Sequence, residues 1–438
     1  MSQSADSPLP HIVVVGGGAG GLELVTRLGR KLGKRKRARI TLIDANMTHI
    51  WKPLLHEVAA GSLNATEEEL NYVAQAKWNH FNFQLGCMTG LDRQQRRIQL
   101  APIQDENGEA LIPARQLTYD YLVIAVGSNT NDFNTPGAAQ HCLFLDTRAQ
   151  AERFHTRLIN QYLKAQVHGE IAHNESINVA IIGAGATGVE LAAELHHAAL
   201  MLRSYGLDRI RPEDLNVNLV EAGPRILPAL PERIAGTAAT TLDDLGVHTH
   251  TGSPVSEVQA DGLQLANGEF IPASLKVWAA GIRAPAFLAG IGLPTNRINQ
   301  LLVDKTLRTE DERIFAFGDC AACPMDEPGK FVPPRAQAAH QQASLLSQNL
   351  IQLLDGKPLK AYRYRDYGSL ISLSSFSAVG NLMGNLTGSV MLEGWLARMF
   401  YISLYRMHQM ALYGLPRTIM LMLSDRIGRS TEPRLKLH

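Results

Sequence analysis

The chain has 438 residues and a formal net charge of +1 at pH 7, and 45% of its residues are hydrophobic. This length predicts two or three domains of ordinary globular composition, and a charge so close to zero argues against nucleic acid as the main partner. No stretch approaches the roughly eighteen uncharged apolar residues that a spanning helix needs, so we expect no transmembrane helix and no path for pumping ions.

The first predicted strand leads directly into a glycine-rich turn. The run His11–Val15 is followed by Gly16, Gly18 and Gly21 in the spacing G-x-G-x-x-G, with a further glycine at Gly20. In such a strand–turn–helix unit the first glycine makes the tight turn, the second lets the backbone approach a pyrophosphate, and the third lets the helix pack on the strand. The helix N-terminus adds unpaired N–H groups and a positive dipole end, which suit a diphosphate.

A second apolar strand, Arg39–Asp44, follows the helix and ends in an acid. Asp44 lies a little over twenty residues beyond Gly21, where a carboxylate accepts hydrogen bonds from the hydroxyls of an adenosine ribose. Because the glycines stand in the strand and helix context that they require, the unit is a candidate dinucleotide site. A buried turn with no ligand is the alternative.

Two segments near this unit are open to more than one interpretation. The basic run Arg30–Arg39 is either a solvated turn or a contact with anionic lipid or phosphate. Lys52 follows the second strand, at the sheet edge where ligands bind, and either contacts a phosphate or cofactor ring or faces solvent. His56 and Glu57 look like a catalytic pair, but adjacent helical residues point about 100° apart. We therefore interpret the pair as structural.

Later in the chain the same unit is repeated. The strand Asn178–Ile182 leads into Gly183, Gly185 and Gly188, and a further strand ends at Glu221. Two complete fingerprints imply two dinucleotide sites, and two dinucleotides in one chain imply electron transfer between them. Glu221 would repel the 2′-phosphate of NADPH and accept ribose hydroxyls instead, so we expect NADH. Arg225 would favour the opposite choice.

Three more strands end in residues that suit a cofactor. Gly127 ends the strand that begins at Tyr119, and its lack of a side chain permits close approach. Gly281 follows a strand from Lys276 and suits the nicotinamide end of a dinucleotide. Asp319 ends a buried strand, and its carboxylate can bond the ribityl or pyrophosphate region of a cofactor.

Two glutamines mark the helix predicted at residues 334–341. Gln337 and Gln341 are four residues apart and therefore share a face. Uncharged amides can bond a quinone carbonyl without adding a full charge that would shift its redox balance. A polar helix end is the alternative.

The C-terminal segment, residues 391–438, differs in composition from the rest. It holds half of the chain's 12 methionines, and basic residues outnumber acidic ones. Leu396, Met399, Phe400, Leu404 and Met407 fall on one helical face, and Gly414-Leu-Pro416 predicts a break between two helices. This composition is typical of an interfacial membrane helix, with a helix packed on the core or on a dimer partner as alternatives.

The cysteines exclude one class of chemistry. No cysteine lies between Gly21 and Gly86, so the chain lacks the redox-active pair that follows the first fingerprint in flavoprotein disulfide reductases. Cys320 and Cys323 form a single C-x-x-C, which is weak evidence for zinc. We expect plain thiols, no metal and, with four cysteines in all, a reduced cytoplasmic setting.

Together these features resemble the type II NADH:quinone oxidoreductases, the single-subunit, non-pumping respiratory NADH dehydrogenases, and their enterobacterial-type members most closely. The matching parts are the two fingerprints, Ile314–Asp319 and Ala336-Gln337-x-Ala339-x-Gln341; the last resembles the family's AQxAxQ motif near its quinone site. The resemblance runs from about residue 10 to the C-terminus. His56-Glu57 stands where many members have Tyr-Gln, so no role is transferred to it.

The resemblance implies an α/β fold with two Rossmann-like domains, the two-dinucleotide-binding flavoprotein fold, plus a C-terminal amphipathic helical segment that docks on a membrane. The implied domains are residues 10–145 with 298–390 for FAD, 146–297 for NADH, and 391–438 for the membrane. Glu190 is implied beside nicotinamide and quinone, and Gln337 between flavin and quinone. The cofactor-binding candidates are Gly16, Gly18, Gly20, Gly21, Asp44, Lys52, Gly127, Gly183, Gly185, Gly188, Glu221, Gly281, Asp319, Ala336 and Gln337, and the catalytic candidates are Glu190, Gln337 and Gln341.

The expected reaction is hydride transfer from NADH to bound FAD and then transfer of two electrons to a membrane quinone, without proton pumping. The expected location is the cytoplasmic face of a bacterial inner membrane, as a peripheral protein on the lipid surface of the inner leaflet, with a homodimer as a further option. The alternative is a soluble FAD-dependent NADH reductase of a small protein electron carrier.

Overall fold

The computed structural model describes residues 9–105, 107–167, 177–204, 214–373, 377–384, 388–393 and 405–428. The chain divides into two compact units. The first unit comprises Met1–Ile50, Glu69–Asn129 and Ile282–Asp366, and the second comprises Trp51–Glu68, Thr130–Gly281 and Tyr367–His438. These boundaries do not identify the cofactor that each unit binds, so the domain assignments made from the sequence stay predictions.

The strands are numbered in chain order. They are β1 His11–Val15, β2 Arg39–Asp44, β3 Thr48–His49, β4 Leu70–Asn71, β5 Asn82–Leu85, β6 Met88–Asp92, β7 Arg97–Leu100, β8 Ile103–Gln104, β9 Ala110–Ile112, β10 Arg115–Thr118, β11 Tyr121–Ile124, β12 Asn129–Thr130, β13 Leu143–Phe144, β14 Ile177–Ile182, β15 Leu215–Val220, β16 His248–His250, β17 Val255–Val258, β18 Gly262–Leu265, β19 Phe270–Pro272, β20 Leu275–Trp278, β21 Ile282–Arg283, β22 Leu301–Leu302, β23 Ile314–Ala316, β24 Ala321–Ala322, β25 Ser369–Leu373, β26 Ser377–Gly384 and β27 Gly388–Glu393.

The helices are numbered in the same way. They are α1 Ala19–Leu28, α2 Leu55–Ala60, α3 Ala65–Glu68, α4 Tyr72–Asn79, α5 Ala138–His141, α6 Arg148–Val167, α7 Ala186–Ser204, α8 Glu232–Asp244, α9 Ala336–Leu354, α10 (405–413) and α11 Leu415–Gly428. Short 3-10 turns lie at Lys52–Leu54, Ala286–Gly290 and Gly318–Cys320, and a π-helical turn at Gly29–Gly33 extends α1.

The first unit is built on a five-stranded sheet in the order β23-β11-β1-β2-β5. All four pairings are parallel. All five residues of β1 are buried, as expected for a strand in a parallel sheet that is covered on both faces. Because the strands are parallel, their carboxyl ends meet at one edge, and the glycine turn after β1 lies at that edge.

The second unit repeats this architecture. Its five strands lie in the order β13-β20-β14-β15-β16 and also pair in parallel. In each unit the fingerprint strand is central and pairs with the strand that follows its helix. Each unit also has a three-stranded antiparallel sheet, β10-β7-β6 in the first and β17-β18-β19 in the second. The predicted α/β fold with two Rossmann-like units is therefore confirmed.

Helices position the remaining candidate residues within each unit. In the first unit α1 packs on α9, and the absence of a side chain at Gly20 makes room for Phe317 and Ala339. In the second unit α2 packs on α6 and α7, and α7 also packs on β25. The antiparallel sheet β25-β26-β27 was not predicted from the sequence.

The C-terminal segment contains two helices, α10 and α11, and the predicted break between them is confirmed, with Gly414 at a φ of +81°. Trp51 stacks on Tyr405 and His408, with ring centroids 5.3 and 6.0 Å apart.

Of the predicted apolar face, residues 396–404 lie outside the described residues. Met407 is described and is 58% exposed. In the described part of the chain, no helix is both long enough and apolar enough to cross a membrane.

Asn349 joins α9 to the segment that follows it. Its side chain donates to the Lys360 carbonyl and accepts from the Lys360 N–H, both at 2.9 Å, and Asn349 is fully buried. Asn349→Ala should lower the free energy of unfolding by about 2 kcal/mol or more, because each buried group left unpaired costs about 1–3 kcal/mol. Chemical denaturation measures this. The exposed neighbour Gln348 supplies the control, since Gln348→Ala should change stability by less than about 0.5 kcal/mol; equal effects would contradict the assignment.

Candidate functional site

The first glycine of each fingerprint is fixed by backbone conformation and by its neighbours. Gly16 and Gly183 have φ values of +101° and +102°, a region that residues with a side chain rarely adopt. A Cβ atom on Gly16 would lie 2.3 Å from the Ala125 carbonyl oxygen, and one on Gly183 would lie 2.7 Å from the Ala280 backbone. Both positions therefore require glycine for the tight turn, as predicted from the spacing.

The second and third glycines have opposite surroundings. A Cβ atom on Gly18 or Gly185 would meet nothing within 4 Å. A Cβ atom on Gly21 or Gly188 would lie 1.9 Å from the carbonyl oxygen of the first glycine in its own turn. The second glycine thus borders open space at the N-terminus of a helix, where a pyrophosphate can approach the backbone. Both turns fit a dinucleotide.

The acid at the end of each second strand braces its glycine turn. The Asp44 carboxylate accepts from the Gly17 N–H at 2.6 Å, and the Glu221 carboxylate accepts from the Ala184 N–H at 2.8 Å. The Asp44 carboxylate also accepts from the Asn46 N–H at 2.8 Å, and the Glu221 carboxylate also accepts from the Gly223 N–H at 2.8 Å. The sequence predicted the position of these acids but not the brace.

Tyr72, the first residue of α4, supports the first glycine turn and was missed by sequence reasoning. Its hydroxyl donates to the Gly17 carbonyl at 2.7 Å, and its ring would clash with a side chain at that position. Burial, together with the nearby Asp44 and Glu69 carboxyls, raises the pKa of this phenol well above its usual value. No local pattern marks Tyr72, because the contact depends on how α4 packs beside the turn.

Gly127 and Asp319 meet at the carboxyl edge of the first sheet. Gly127 follows β11 with a φ of +70° and has open space where a side chain would be. The neighbouring Ser128 donates its hydroxyl to the Asp319 carboxylate at 2.9 Å. Since β11 and β23 are adjacent in the sheet, the two strand ends form one surface beside the first glycine turn.

Gly281 and Lys52, both in the second unit, have protein neighbours. A Cβ atom on Gly281 would lie 2.4 Å from the Phe133 ring, so packing alone explains the glycine. The Lys52 ammonium group lies 2.9 Å from the Asp146 carboxylate, which also accepts from Thr130. These contacts neither require nor test a cofactor, and the binding roles of both residues stay predictions.

The two glutamines of α9 do lie on one face and contact the same short segment. Gln337 donates to the Asp366 carboxylate at 3.2 Å. The Gln341 amide donates to the Arg365 carbonyl at 2.7 Å and accepts from the Arg365 N–H at 3.1 Å. Gln341 thus holds this segment through both backbone groups of one residue. Ala336, the first residue of α9, follows Arg335, which pairs with Asp366 at 3.3 Å.

A histidine between these glutamines joins α9 to the first fingerprint helix. The His340 ring nitrogen Nδ1 lies 2.5 Å from a Glu23 carboxylate oxygen, and Arg27 lies 2.7 Å from the other. Burial alone would raise the pKa of Glu23, but His340 and Arg27 outweigh burial and lower it. This ion-paired carboxylate, which sequence reasoning missed, holds the AQxAxQ helix against the helix that begins at the glycine turn.

Glu190 lies on α7 in a buried polar cluster. Its carboxylate accepts from the Ser372 N–H at 3.1 Å, and the other oxygen lies 3.7 Å from Nδ1 of His56. Burial raises the pKa of Glu190 to about 8, and the Glu57 and Glu194 charges also raise it. The hydrogen bond from Ser372 acts in the opposite direction. The sequence placed Glu190 among the catalytic candidates but set His56 aside, and the structure brings the two together.

Cys320 and Cys323 are free, buried thiols. Burial raises the pKa of both to about 12, so neither is a thiolate at neutral pH, and only the thiolate is nucleophilic. Among the described residues, no group of three or more histidine, cysteine, aspartate or glutamate side chains is arranged to hold a metal ion.

Comparison with known proteins identifies the family. Residues 10–343 match the model of the pyridine nucleotide-disulphide oxidoreductases. The chain is 45% identical to the type II NADH:quinone oxidoreductase of Haemophilus influenzae, over 98% of this chain and 100% of that protein. This chain belongs to the type II NADH:quinone oxidoreductase family. The resemblance seen in the sequence is therefore confirmed.

Solved structures agree on the fold. NDH2 from Plasmodium falciparum in complex with NADH superposes with a TM-score of 0.78, covering 93% of this chain and 99% of that chain at 18% identity. A ferredoxin reductase from Rhodopseudomonas palustris gives a TM-score of 0.65, covering 86% of this chain and 83% of that chain at 22% identity. At these identities the similarity shows the fold alone, which members of the family share with reductases of protein carriers.

In the second fingerprint, substitutions of the second and third glycines should have opposite phenotypes. Gly188→Ala should lower the free energy of unfolding by about 2 kcal/mol or more, because its Cβ atom would overlap the Gly183 carbonyl. Gly185→Ala should leave stability within about 0.5 kcal/mol but weaken dinucleotide binding, because its methyl group enters the open space beside the turn. Thermal unfolding and NADH titration separate the two effects, and equal destabilisation by both variants would contradict these separate roles.

Proposed function

We propose that this protein transfers a hydride from NADH to bound FAD and then two electrons to a membrane quinone. The observation that carries the proposal is the identity of 45% along almost the whole length to a type II NADH:quinone oxidoreductase, in a chain whose two glycine turns both border open space. When bound, FAD supplies the capacity to accept a hydride and pass on electrons. The chain's own residues bind and orient the reactants.

The first fingerprint binds FAD and the second binds NADH. At the FAD site, the turn donates to the pyrophosphate, Asp44 accepts from the ribose, and Asp319 bonds the ribityl or pyrophosphate region. At the NADH site, Glu221 accepts from the ribose and disfavours a 2′-phosphate. The residues proposed for FAD are Gly16, Gly18, Gly20, Gly21, Asp44, Lys52, Gly127, Asp319, Ala336 and Gln337, and those for NADH are Gly183, Gly185, Gly188, Glu221 and Gly281.

The residues proposed to act in quinone reduction are Gln337 and Gln341 in the first unit and, separately, Glu190 in the second unit. Gln337 supplies an uncharged amide beside the quinone, and Gln341 contributes to the site while it holds the backbone of Arg365. Glu190 is protonated at neutral pH, since burial raises its pKa to about 8. A buried neutral carboxyl can donate a proton to a quinone that has accepted electrons.

Anaerobic visible spectroscopy of the FAD-loaded protein in detergent tests both half-reactions. NADH should bleach the flavin absorbance, and a short-chain ubiquinone analogue should restore it within the same sample. NADPH, as the matched control, should bleach it far more slowly because Glu221 faces the position of its 2′-phosphate. Bleaching by NADH without recovery on quinone addition would show that another acceptor, such as a small protein carrier, is the substrate.

The C-terminal helices attach the protein to the anionic inner leaflet at the cytoplasmic face of the inner membrane. Apolar side chains project into solvent along α10 and α11 and would form a contiguous exposed patch, which marks an interaction surface. These exposed residues are Met407, Met410, Leu415, Ile419, Met420, Met422 and Leu423. Seven basic residues against three acidic ones in residues 391–438 favour an anionic lipid surface over a neutral one.

Charge placed on the apolar surface of α11 should weaken lipid binding. The double variant Ile419→Glu with Leu423→Glu should bind phosphatidylglycerol vesicles at least about tenfold more weakly in cosedimentation, because two apolar side chains no longer leave water. Flavin bleaching by NADH should not change. Leu111→Glu, at a position 70% exposed in the first unit, is the control and should bind like the wild type. Unchanged vesicle binding with loss of a dimer in sedimentation velocity would instead make this surface a subunit interface.

A further inference from the structure

The His56 imidazole lies between two carboxyl groups of the second unit. Its Nε2 atom is 3.9 Å from an oxygen of Glu57, and its Nδ1 atom is 3.7 Å from an oxygen of Glu190. The Glu57 side chain is 24% exposed, whereas those of His56 and Glu190 are 3% and 8% exposed. One ring nitrogen therefore faces a carboxyl group in contact with water, and the other faces a buried one.

Several elements supply the charged and polar groups around this ring. A hydrogen bond with the backbone of Pro53 orients the imidazole, and the proline carbonyl must be the acceptor because proline has no N–H. The α7 helix contributes Glu190 and, one turn later, the buried Glu194. From β25, the Ser372 N–H donates to Glu190. From α6, His155 lies against Gly61 at the end of α2.

Burial sets the proton positions in this cluster. Burial lowers the pKa of His56 to about 4, although the Glu194 charge and the Pro53 hydrogen bond both act to raise it. Burial also raises the pKa of Glu190 to about 8. At neutral pH the imidazole is therefore neutral and Glu190 holds a proton. If Glu190 releases that proton, its new negative charge favours protonation of the adjacent ring.

We propose that His56 relays protons from Glu57 to Glu190, so that the three side chains connect solvent to the buried carboxyl group. The inference rests on the proposed function. Reduction of a quinone to a quinol consumes two electrons and two protons, and a hydride from NADH supplies two electrons and one proton. The second proton must come from water in every turnover.

The relay balances without net change to the protein. Glu190 gives its proton to the reduced quinone and becomes a carboxylate. His56 then takes a proton at Nε2 from the side of Glu57 and releases the proton on Nδ1 to Glu190, since both nitrogens of an imidazole can carry a proton. A tautomer shift of the ring and uptake of a proton by Glu57 from water complete the cycle.

The two gaps exceed the usual hydrogen-bond length by about 1 Å. Hydrogen bonds of acid–base groups often tighten only when a substrate is bound, and Glu57 reaches the ring through a long, partly exposed side chain. His56 acts through Glu190 and does not itself touch the substrate, so a readout beyond loss of rate is needed to test it.

The main variant is His56→Gln, which keeps a polar side chain but cannot exchange protons. In the FAD-loaded protein, bleaching by NADH should be as fast as in the wild type, because hydride transfer needs no proton from water. The kcat for a short-chain ubiquinone analogue should fall at least about tenfold, and its solvent deuterium isotope effect should increase. His155→Gln removes another buried histidine beside α2 and should leave the isotope effect at the wild-type value.

The pH profile gives a second readout. In the wild type, kcat should stay level below pH 8 and fall as pH rises through about 8, where Glu190 loses its proton. In His56→Gln the fall should begin at lower pH, because the proton concentration in water then limits reprotonation of Glu190. In Glu57→Gln, at a partly exposed position, the fall in kcat should also begin at lower pH than in the wild type, but by a smaller shift.

Chemical rescue keeps the proposal testable if the glutamine variant folds poorly. His56→Ala should recover kcat in the presence of imidazole but not pyrazole, which has the same shape and is a far weaker base. A wild-type kcat and isotope effect in His56→Gln would overturn the relay, as would equal rescue by both compounds, which would show a packing role only. A wild type that bleaches with NADH yet fails to reduce quinone would overturn the proposed function, and the relay with it.

Discussion

In each Rossmann-like unit a hydrogen bond runs from the backbone of the glycine turn to the acid that ends the neighbouring strand. In the first unit it joins Gly17 to Asp44, and in the second it joins Ala184 to Glu221. The bond fixes the glycine turn relative to the sheet edge. The position of the turn then determines where the N-terminus of the helix points. Because the acceptor is charged, this hydrogen bond is stronger than one between neutral groups. A strong bond suits a turn that must stay open for a diphosphate.

Two buried carboxyl groups, one in each unit, differ in protonation state because their partners differ. Glu23 is buried beside His340 and Arg27, and these partners keep it ionised. Glu190 is buried with a neutral imidazole and two further carboxyl groups nearby, and it keeps its proton. A charged carboxylate with two basic partners serves to hold helices together. A protonated carboxyl group with a pKa of about 8 has the acidity that proton transfer near neutral pH requires.

The sequence analysis was most accurate for features that lie within a single strand–turn–helix unit. The glycines, the acids at the strand ends and the helical face shared by Gln337 and Gln341 all follow from local spacing, and the structure places them accordingly. Contacts between distant elements could not be predicted in this way. The His56 ring reaches Glu190 only because α2 packs on α7. Adjacent helical residues do diverge in their Cβ directions, but the long Glu57 side chain still comes within 3.9 Å of the ring. Tyr72 and His340 were missed for the same reason.

The fold explains how two dinucleotides are held but not where the electrons go afterwards. A ferredoxin reductase shares it with a TM-score of 0.65, so the acceptor must be selected by features outside the two sheets. Two features of this chain agree with the proposed quinone acceptor. One is the AQxAxQ helix, whose two glutamines are uncharged. A reductase of a protein carrier would instead need an exposed charged surface to bind that carrier. The other is the apolar surface of α11, where Ile419 and Leu423 are 48% and 59% exposed. A substrate dissolved in lipid requires both an uncharged reaction site and a means of reaching the membrane, whereas a soluble carrier requires neither. The combination of the two features therefore favours quinone more than either feature does alone.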